Sequence, residues 1–425
     1  MREMKDSGVA WIGEIPKSWN LERLQWHISE IKETNKPEKT KQILSLTNKR
    51  GVIPYEEKGA QGNVSKEDLS QYKLAYPDTI VANSMNVLIG SVGKCNYYGC
   101  VSPVYYVYKP NDGENLEFIN YIFQTEQFQK ELRRYANGIL EIRLRVSSDG
   151  ILKRKVAFPS TDEQQKIVVY LNQKLSQVDS LIANVQAQIE KLKAYKQSLI
   201  TEVVTKGLDP NAPMKDSGVD WIGQVPMHWH IVKLKYITEI SRGLFNHRPR
   251  NDPSLYGGKY PFIQTGDVAR AQKFITSYSQ TLNERGKEVS KLFPKGTMTM
   301  TIAANVGDVA ILGFDAYFPD SVVGFTVRKD YNEDYVYYLF QALKESFIRA
   351  SIVSTQLNLN IERSKEILAP TTYNICEQKA IADFLDDKYS QIERLVSLKE
   401  SKIEKLQQYK RSLIYEYVTG KKEVV

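Results

Sequence analysis

The residues of this 425-residue chain best suited to chemistry are its four histidines and two aspartates that follow prolines. His228 and His230, in the stretch HWH, would place two imidazoles on one side of an extended segment, which is a geometry that can bind a metal ion. A similar stretch earlier in the chain carries Ser18 and Asn20 at the same positions. Since no Cys or acidic ligand accompanies that copy, we predict that the chain binds no metal.

The two aspartates are Asp78 in PDTIVANS and Asp320 in PDSVVGF, and either could contribute to a nuclease site. A nuclease needs further acidic and lysine residues nearby, and none follows at a suitable spacing. Each PD pair is instead typical of a turn that enters a strand. The sequence also lacks a GxxxxGKS/T phosphate loop, a GxGxxG motif after a strand and the NPPF or DPPY tetrapeptide of amino-methyltransferases. These observations predict a chain without catalytic activity or a cofactor of its own.

The composition favours a folded protein with a polyanionic partner. Lys and Arg outnumber Asp and Glu by 58 to 50, which gives a net charge of +8 and a pI near 9.0. The length predicts at least two domains, and an apolar fraction of 42% argues against disorder. No signal-like N-terminus and no run of 18 apolar residues are present, so we expect a cytoplasmic protein without membrane association.

Two segments of the chain occur twice, in the same order. Residues 4–26 and 214–236 are identical at 12 of 23 positions, and residues 163–205 and 377–419 at 20 of 43 positions. Chance does not produce two co-ordered repeats of this quality, so the chain consists of a short segment, a variable region and a long helix, then the same three again. We predict that the repeated tryptophans pin each short segment to a helix.

The two helical repeats have the 3.5-residue period of a coiled-coil seam. Neither contains an internal Gly or Pro over about 40 residues, so each is expected to be about 60 Å long. A helix of this kind cannot bury its apolar stripe alone, and the two are expected to pack on each other. Lysines interrupt the pattern at Lys196, Lys399 and Lys410. The predicted seam consists of Leu171, Leu175, Val178, Ile182, Ile189, Leu192, Leu199, Leu385, Ile392, Val396, Ile403, Leu406 and Leu413.

The two variable regions follow the same α/β plan with little sequence identity. Each has β-branched and aromatic strands bounded by Gly and Pro, followed by a helix, LEFINYIFQTEQFQKELRRYA in the first and EDYVYYLFQALKESFIRA in the second. The predicted boundaries are 1–26 and 214–236 for the short segments, 27–158 and 237–369 for the variable regions, and 159–213 and 370–425 for the helical repeats.

Loops and strand ends of both variable regions are rich in Arg, Lys, Asn and Gln, which bind phosphates and base edges. For any single residue, a solvated surface side chain is the plainer interpretation, but the clusters together favour DNA. The candidates in the first region are Lys49, Arg50, Asn83, Ser84, Asn86, Ser91, Lys94, Arg143 and Arg145. Those in the second are Arg242, Asn246, His247, Arg248, Arg250, Gln264, Thr265, Asn305, Gln356, Asn358 and Asn360.

The repeated motifs resemble those of the specificity subunit of type I restriction-modification enzymes. They are KDSGVAWIGEIPKSW and KDSGVDWIGQVPMHW before the variable regions, and YKQSLITEVVT and YKRSLIYEYVT at the helix ends. The stretch NSMNVLIGSVGKCNYYGCVSPVYYVY is also similar to a common form of that family's target-recognition domain. The match spans nearly the whole chain. The stretch QTGDVARAQKFI indicates that the second recognition domain is of another subtype.

The resemblance implies two target-recognition domains separated by two long antiparallel helices that form a coiled coil. It implies that each domain reads one half of a bipartite site in double-stranded DNA, across a spacer set by the coil. The implied partners are two methyltransferase subunits, which use S-adenosylmethionine, and a restriction-translocase subunit, which uses ATP and Mg. A non-catalytic coiled-coil adaptor for protein partners is the alternative, and an independent nuclease or methyltransferase is a third hypothesis.

Overall fold

The computed structural model describes residues 2–47, 50–59, 68–138, 144–247, 249–302, 306–353, 357–359 and 361–424. The chain divides into two compact units. Unit 1 comprises Met1–Gln186 and Glu400–Val425, and unit 2 comprises Ala187–Lys399. Within the described ranges, no helix combines the length and the apolar content needed to cross a membrane.

Unit 1 is a mixed α/β unit. Its strands are β1 (Met4–Asp6), β2 (Glu14–Pro16), β3 (Asn20–Arg23), β4 (Ile28–Ile31), β5 (Leu44–Thr47), β6 (Gly51–Pro54), β7 (Lys73–Ala75), β8 (Thr79–Asn83), β9 (Val92–Cys95), β10 (Gly99–Val101), β11 (Tyr105–Pro110), β12 (Ala136–Asn137), β13 (Arg145–Val146) and β14 (Lys155–Phe158). Its helices are α1 (Leu116–Phe123), α2 (Glu126–Arg133), α3 (Ser148–Leu152), the first part of α4 (Thr161–Lys206) and the end of α10 (Ile375–Val418).

The main sheet of unit 1 is antiparallel, with the strand order β4-β11-β8-β9. Successive side chains of a strand point to opposite faces, and β8 is buried on both. Ile80 and Ala82 pack in the core that contains α1 and α2, whereas Val81 packs with Leu44 and Val52 of the β5–β6 hairpin. The sheet is therefore held between two helices and a hairpin.

Unit 2 is also a mixed α/β unit. Its strands are β15 (Met214–Asp216), β16 (Gln224–Pro226), β17 (His230–Lys233), β18 (Thr238–Arg242), β19 (Tyr256–Phe262), β20 (Phe274–Ile275), β21 (Gln280–Leu282), β22 (Leu292–Phe293), β23 (Met298–Thr301), β24 (Val309–Leu312), β25 (Ala316–Tyr317), β26 (Val322–Val327), β27 (Ser351–Val353), β28 (Leu357–Leu359) and β29 (Leu368–Thr371). Its own helices are α5 (Thr265–Arg270), α6 (Glu284–Glu288), α7 (Glu333–Ala342), α8 (Lys344–Ala350) and α9 (Ile361–Lys365).

The main sheet of unit 2 has the strand order β18-β26-β23-β24-β20. Its first four strands repeat the order of the unit 1 sheet, which confirms the prediction that the variable regions share a plan. Unit 2 adds β20, which pairs in parallel with β24, and a separate sheet with the order β21-β19-β25-β22. β20 lies at the end of the stretch QTGDVARAQKFI, whereas the strands of the separate sheet lie outside it.

The single helix predicted at the end of each variable region is wrong, because the structure divides it in two. In unit 1, α1 ends at Phe123 and Thr125 caps α2, accepting a hydrogen bond from the Phe128 N–H at 3.4 Å. A Thr hydroxyl that bonds to the backbone favours a helix start over a helix interior. In unit 2 the division falls at Leu343, between α7 and α8.

The long helices pack antiparallel in unit 1, as predicted. The Tyr170 and Tyr417 ring centroids lie 4.7 Å apart, and Lys410 Nζ lies 2.7 Å from Asp179 Oδ1. Residue numbers therefore rise along one helix while they fall along the other.

The same pairing holds within unit 2. Lys196 Nζ lies 2.7 Å from Glu393 Oε1, and Lys399 Nζ lies 2.5 Å from Gln188 Oε1. The lysines that interrupt the apolar pattern thus form polar contacts between the helices. Polar residues at seam positions specify the register of a coiled coil at some cost in stability.

The predicted seam residues all face inward to some degree. Those that are buried are Leu171, Leu175, Val178, Ile189, Leu385, Ile392, Val396 and Leu413. Those that are half-buried are Ile182, Leu192, Leu199, Ile403 and Leu406.

Two of the four repeated tryptophans, Trp19 and Trp229, pin the short segments to the long helices, as predicted. Trp19 Nε1 donates to Glu163 Oε2 at 3.1 Å in unit 1, and Trp229 Nε1 donates to Glu377 Oε1 at 2.9 Å in unit 2. Both indoles are fully buried. An indole N–H needs a partner when it is buried, and the repeated glutamate supplies it in both units.

A left-handed glycine ends each long helix beside these tryptophans. Gly207 has φ of +73° and would place a Cβ 3.4 Å from Trp229, and Gly420 has φ of +70° and would place a Cβ against the rings of Pro16 and Trp19. In unit 1 the N-terminal segment therefore meets the end of α10 as the second short segment meets the end of α4 in unit 2.

Replacing Gly420 with Ala tests this packing. The substitution G420A should destabilise the protein by about 1 kcal/mol for the left-handed backbone and by a further 1–3 kcal/mol, on the order of an overpacked core, for the overlap with Pro16. Gly8 is the matched control, since its φ is +68° and no atom lies within 4 Å of an added Cβ. Urea denaturation of G420A and G8A measures both costs, and equal losses would contradict the close contact.

Candidate nucleic-acid interface

A tight turn between β8 and β9 contains several of the predicted DNA-contact residues. The Asn83 carboxamide oxygen accepts a hydrogen bond from the Met85 N–H at 3.0 Å, and the Asn83 N–H donates to Ser91 O at 3.0 Å. Asn83, Ser84 and Ser91 are all buried. Their burial argues against the predicted DNA contact, because these three residues shape the turn.

The exposed side of this turn carries Asn86 and Ile89. Asn86 is exposed, and Ile89 is 66% exposed. The Ser84 carbonyl accepts a hydrogen bond from the Val146 N–H at 3.0 Å, so β13 lies beside the turn. Exposed Arg145, next to Val146, therefore shares this surface with Asn86.

The tip of the β5–β6 hairpin brings a second pair of predicted residues together. A Cβ added to Gly93 would lie 2.8 Å from Gly51 Cα, so the hairpin tip packs directly on β9. This close approach places Arg50 near Lys94. Each cation is paired with a carboxylate of unit 1, Arg50 with Glu57 and Lys94 with Asp78.

In unit 2, one aspartate contacts two predicted arginines, Arg250 through its carboxylate and Arg242 through its backbone carbonyl. Arg250 Nη2 lies 2.5 Å from Asp320 Oδ1, and Arg242 Nε donates to the Asp320 carbonyl at 2.9 Å. Both arginines are exposed. Because each guanidinium has five N–H donors, an arginine held in this way keeps donors for a phosphate or a guanine edge.

Other predicted residues of unit 2 have roles within the domain. Gln264 forms a capping box with Asp267 at the start of α5, where Thr265 is the first helical residue. His247 Nε2 lies 3.0 Å from Asp252 Oδ2, and Asn246 is exposed beside it.

The remaining predicted residues are less informative. Asn358 lies on β28, opposite Ile352 of β27. The others fall outside the described residues, namely Lys49, Arg143, Arg248, Asn305, Gln356 and Asn360.

The histidines of the HWH stretch have separate partners. His228 Nε2 lies 3.0 Å from Glu377 Oε2, whereas the His230 ring lies 4.8 Å from that of Tyr373. Burial raises the pKa of Glu377, but hydrogen bonds from Trp229 and His228 lower it below its usual value overall. Among the described residues, no group of three His, Cys, Asp or Glu side chains could hold a metal ion.

The turn interpretation of the PD pairs is confirmed. Asp78 has φ of +55° in a turn directly before β8, and Asp320 lies in the turn that enters β26. Asp320 also gathers the two arginines, which sequence reasoning missed. The signal available was the pair of arginines, Arg242 and Arg250, within the ten residues of SRGLFNHRPR.

Comparisons with known proteins agree with this arrangement. Residues 226–408 match the family described as the type I restriction modification DNA specificity domain. The MjaX protein of Methanocaldococcus jannaschii, whose assignment as a type I restriction enzyme specificity subunit is itself provisional, is 24% identical over 431 residues, covering 96% of this chain and 95% of that protein.

Two solved structures share the fold at 14% identity. A chain from a study of complex assembly and conformational transition of the type I R-M system matches with a TM-score of 0.72, covering 95% of this chain and 98% of that chain. The HsdS subunit from Thermoanaerobacter tengcongensis matches with a TM-score of 0.52, covering 96% and 98%.

Residues 226–408 thus carry the type I restriction modification DNA specificity domain, and the whole chain is similar to type I restriction-modification specificity subunits. A specificity subunit recognises DNA sequence and is not a catalytic component, so the exposed polar residues of the two units are candidates for base and phosphate contacts.

Replacing Arg145 tests the unit 1 surface. In the assembled complex, R145A should weaken DNA binding and reduce the slope of log affinity against log salt by about 1, because one phosphate contact is lost. K153A removes the same charge, but Lys153 is paired with Asp149 on α3 at 2.9 Å and should leave the slope unchanged. Filter binding between low and high salt measures both slopes, and an unchanged slope in R145A would exclude Arg145 from the phosphate contacts.

Proposed function

We propose that this specificity subunit reads a bipartite, asymmetric DNA site, one half with the recognition region of each unit. The observation that carries the proposal is a contrast within one chain: the contacts that hold the short segments on the long helices are repeated, whereas the exposed surfaces of the variable regions differ. The Trp–Glu pin and the glycine helix end occur in both units, whereas the exposed polar side chains differ. Two regions on the same scaffold with different side chains suit two different base sequences.

The exposed residues support unlike half-sites. Unit 1 presents Asn86 beside Arg145, a combination suited to adenine and to phosphate or guanine. Unit 2 presents Arg242 and Arg250 on a shared aspartate, which suits guanine or phosphate. The two surfaces therefore offer different donors and acceptors to base edges.

The coiled coil would set the spacer between the half-sites. Half-sites about one turn of DNA apart, about 34 Å, face the same side of the duplex and can be read together. A coil of fixed register holds such a distance, and the cross-helix contacts of Lys410 in unit 1 and Lys196 in unit 2 support a fixed register.

Two equivalent apolar patches support two copies of one partner. In unit 1 the coil exposes Leu181 and Tyr409, which are 49% and 50% exposed. In unit 2 it exposes Tyr195 and Leu395, which are 56% and 46% exposed and are the repeat equivalents of the other two. Exposed apolar side chains at repeated positions favour protein contacts, and two methyltransferase subunits would fit them.

The chemistry would reside in the partners. The methyltransferase subunits would bind S-adenosylmethionine and methylate adenine, and a restriction-translocase subunit would use ATP and Mg. The complex would act in the cytoplasm, where the DNA lies.

Methylome sequencing of a host with and without the gene tests the proposal. We expect one bipartite methylated-adenine motif that depends on the gene, and exchange of residues 27–158 for another recognition domain should change one half of it. The absence of any gene-dependent motif would refute the proposal. DNA binding that is insensitive to salt, with or without partners, would instead favour a protein adaptor.

Lengthening the coil tests its role as the spacer. Four residues inserted within one long helix add about 6 Å, close to two base-pair steps of about 3.4 Å. The methylated motif should then gain spacer length and keep both half-sequences. The same methylome measurement detects the change, and an altered half-sequence would contradict the account.

A further inference from the structure

A poorly exposed lysine connects the recognition region of unit 2 to the coil. Lys273 lies between α5 and β20, and its side chain is only 14% exposed. Its Nζ lies 2.9 Å from Asp334 Oδ1 of α7 and 2.6 Å from Asp386 Oδ1 of α10. One cation thus bridges α7 of the recognition region and the long helix α10.

Three tyrosines reinforce this connection. Tyr338 OH donates to Asp386 Oδ1 at 2.6 Å. Tyr337 OH and Tyr389 OH both donate to the carbonyl of Gln272, at 2.7 and 3.1 Å. The segment that carries Lys273 is therefore held by side chains from α7 and from α10, and its position follows that of the coil.

The equivalent position in unit 1 is neutral. Tyr121 and Asn172 occupy the repeat positions of Tyr338 and Asp386, and Tyr121 OH donates to Asn172 Oδ1. Leu175 occupies the position of the tyrosine on α10. The tyrosine-to-helix hydrogen bond is common to both units, whereas the carboxylate on the long helix is present in the unit whose recognition region supplies the lysine.

The difference in charge between Asp386 and Asn172 can distinguish the two positions at which the recognition region could stand. A lysine that loses most of its water is stabilised by carboxylates. At the unit 1 position, Lys273 would keep Asp334 of its own region but would lose the carboxylate that ties it to the long helix. If the second recognition region stood on the helix surface of unit 1, Lys273 would face Asn172. The coil residue is thus matched to the region that it supports.

We propose that Lys273 is a positioning residue that orients the second recognition region on the coil, and that Asp386 restricts this region to the second position. The proposal rests on the proposed reading of a bipartite site. A region held at a fixed angle reads its half-site at one distance from the other half. A region freed from Asp386 keeps its base contacts but tolerates several distances.

Spacing preference therefore separates positioning from mere folding. The assembled complex is tested on DNAs that carry its methylome-derived motif with the natural spacer, or with one base pair added or removed. K273M keeps the aliphatic stem and D386N installs the natural residue of unit 1. Both should reduce the preference for the natural spacer by about 10-fold, equivalent to about 1.4 kcal/mol, while binding to the second half-site alone is retained.

Two variants serve as controls. K273R keeps the charge and should retain the spacing preference, and N172D adds a carboxylate in unit 1 and should also leave the preference unchanged. If K273M fails to fold, D386N still tests the proposal, because the amide oxygen of the new Asn side chain can accept the hydrogen bond from the Tyr338 hydroxyl.

The outcomes are distinct. A folded D386N complex with the natural preference overturns the assignment of Lys273 and Asp386. A wild-type complex that binds all three spacers equally refutes the bipartite reading itself. Loss of preference in K273M and D386N, with retention in K273R and N172D, supports the assignment.

Discussion

The antiparallel pairing of the two long helices is the constraint on which the rest of the molecule depends. Unit 1 contains residues from both ends of the chain, and only this pairing brings α10 back to α4 there. The seam residues supply the buried apolar surface, but their heptad pattern would still match if one helix shifted by seven residues. The lysines tolerate no slip, because in another register they would lose Asp179, Gln188 and Glu393. Stability thus comes from the leucines and register from the lysines.

The duplicated scaffold explains how one chain can carry two different recognition surfaces. Each short segment is fixed by a buried tryptophan that donates to a glutamate at the start of a long helix. Each long helix ends at a glycine that packs beside the same tryptophan. These contacts involve residues outside the variable regions. The exposed polar side chains of the variable regions can therefore change while the contacts between the short segments and the long helices stay the same. The Lys273–Asp386 pair is an exception, because it joins a residue of the second variable region to the long helix α10.

Much of the fold could be predicted because its signals are local. The repeats, the heptad period and the glycine helix ends lie in short stretches of sequence, and the structure follows them. The helix break at Thr125 was missed because a capping threonine inside an amphipathic pattern resembles a solvated surface residue. The partners of Lys196 and Lys410 lie about 200 residues away in sequence and depend on the register.

The candidate interface was predicted less well, for a related reason. Asn83 and Asn86 are the same residue type three positions apart, yet the first is buried and the second exposed. Composition alone cannot tell which side of a tight turn a side chain occupies, because that depends on the hydrogen bonds that close the turn. Residue type therefore identified the turn, and the structure shows which of its side chains are exposed.

Missing-nucleoside interference on the assembled complex tests the central claim most directly. DNA fragments that each lack one base are bound by the complex, and the bases whose loss prevents binding are mapped. The account predicts two short clusters of essential bases separated by a stretch where any base can be removed. One uninterrupted cluster would contradict it, since two recognition regions that each read one half-site leave the bases between the half-sites unread.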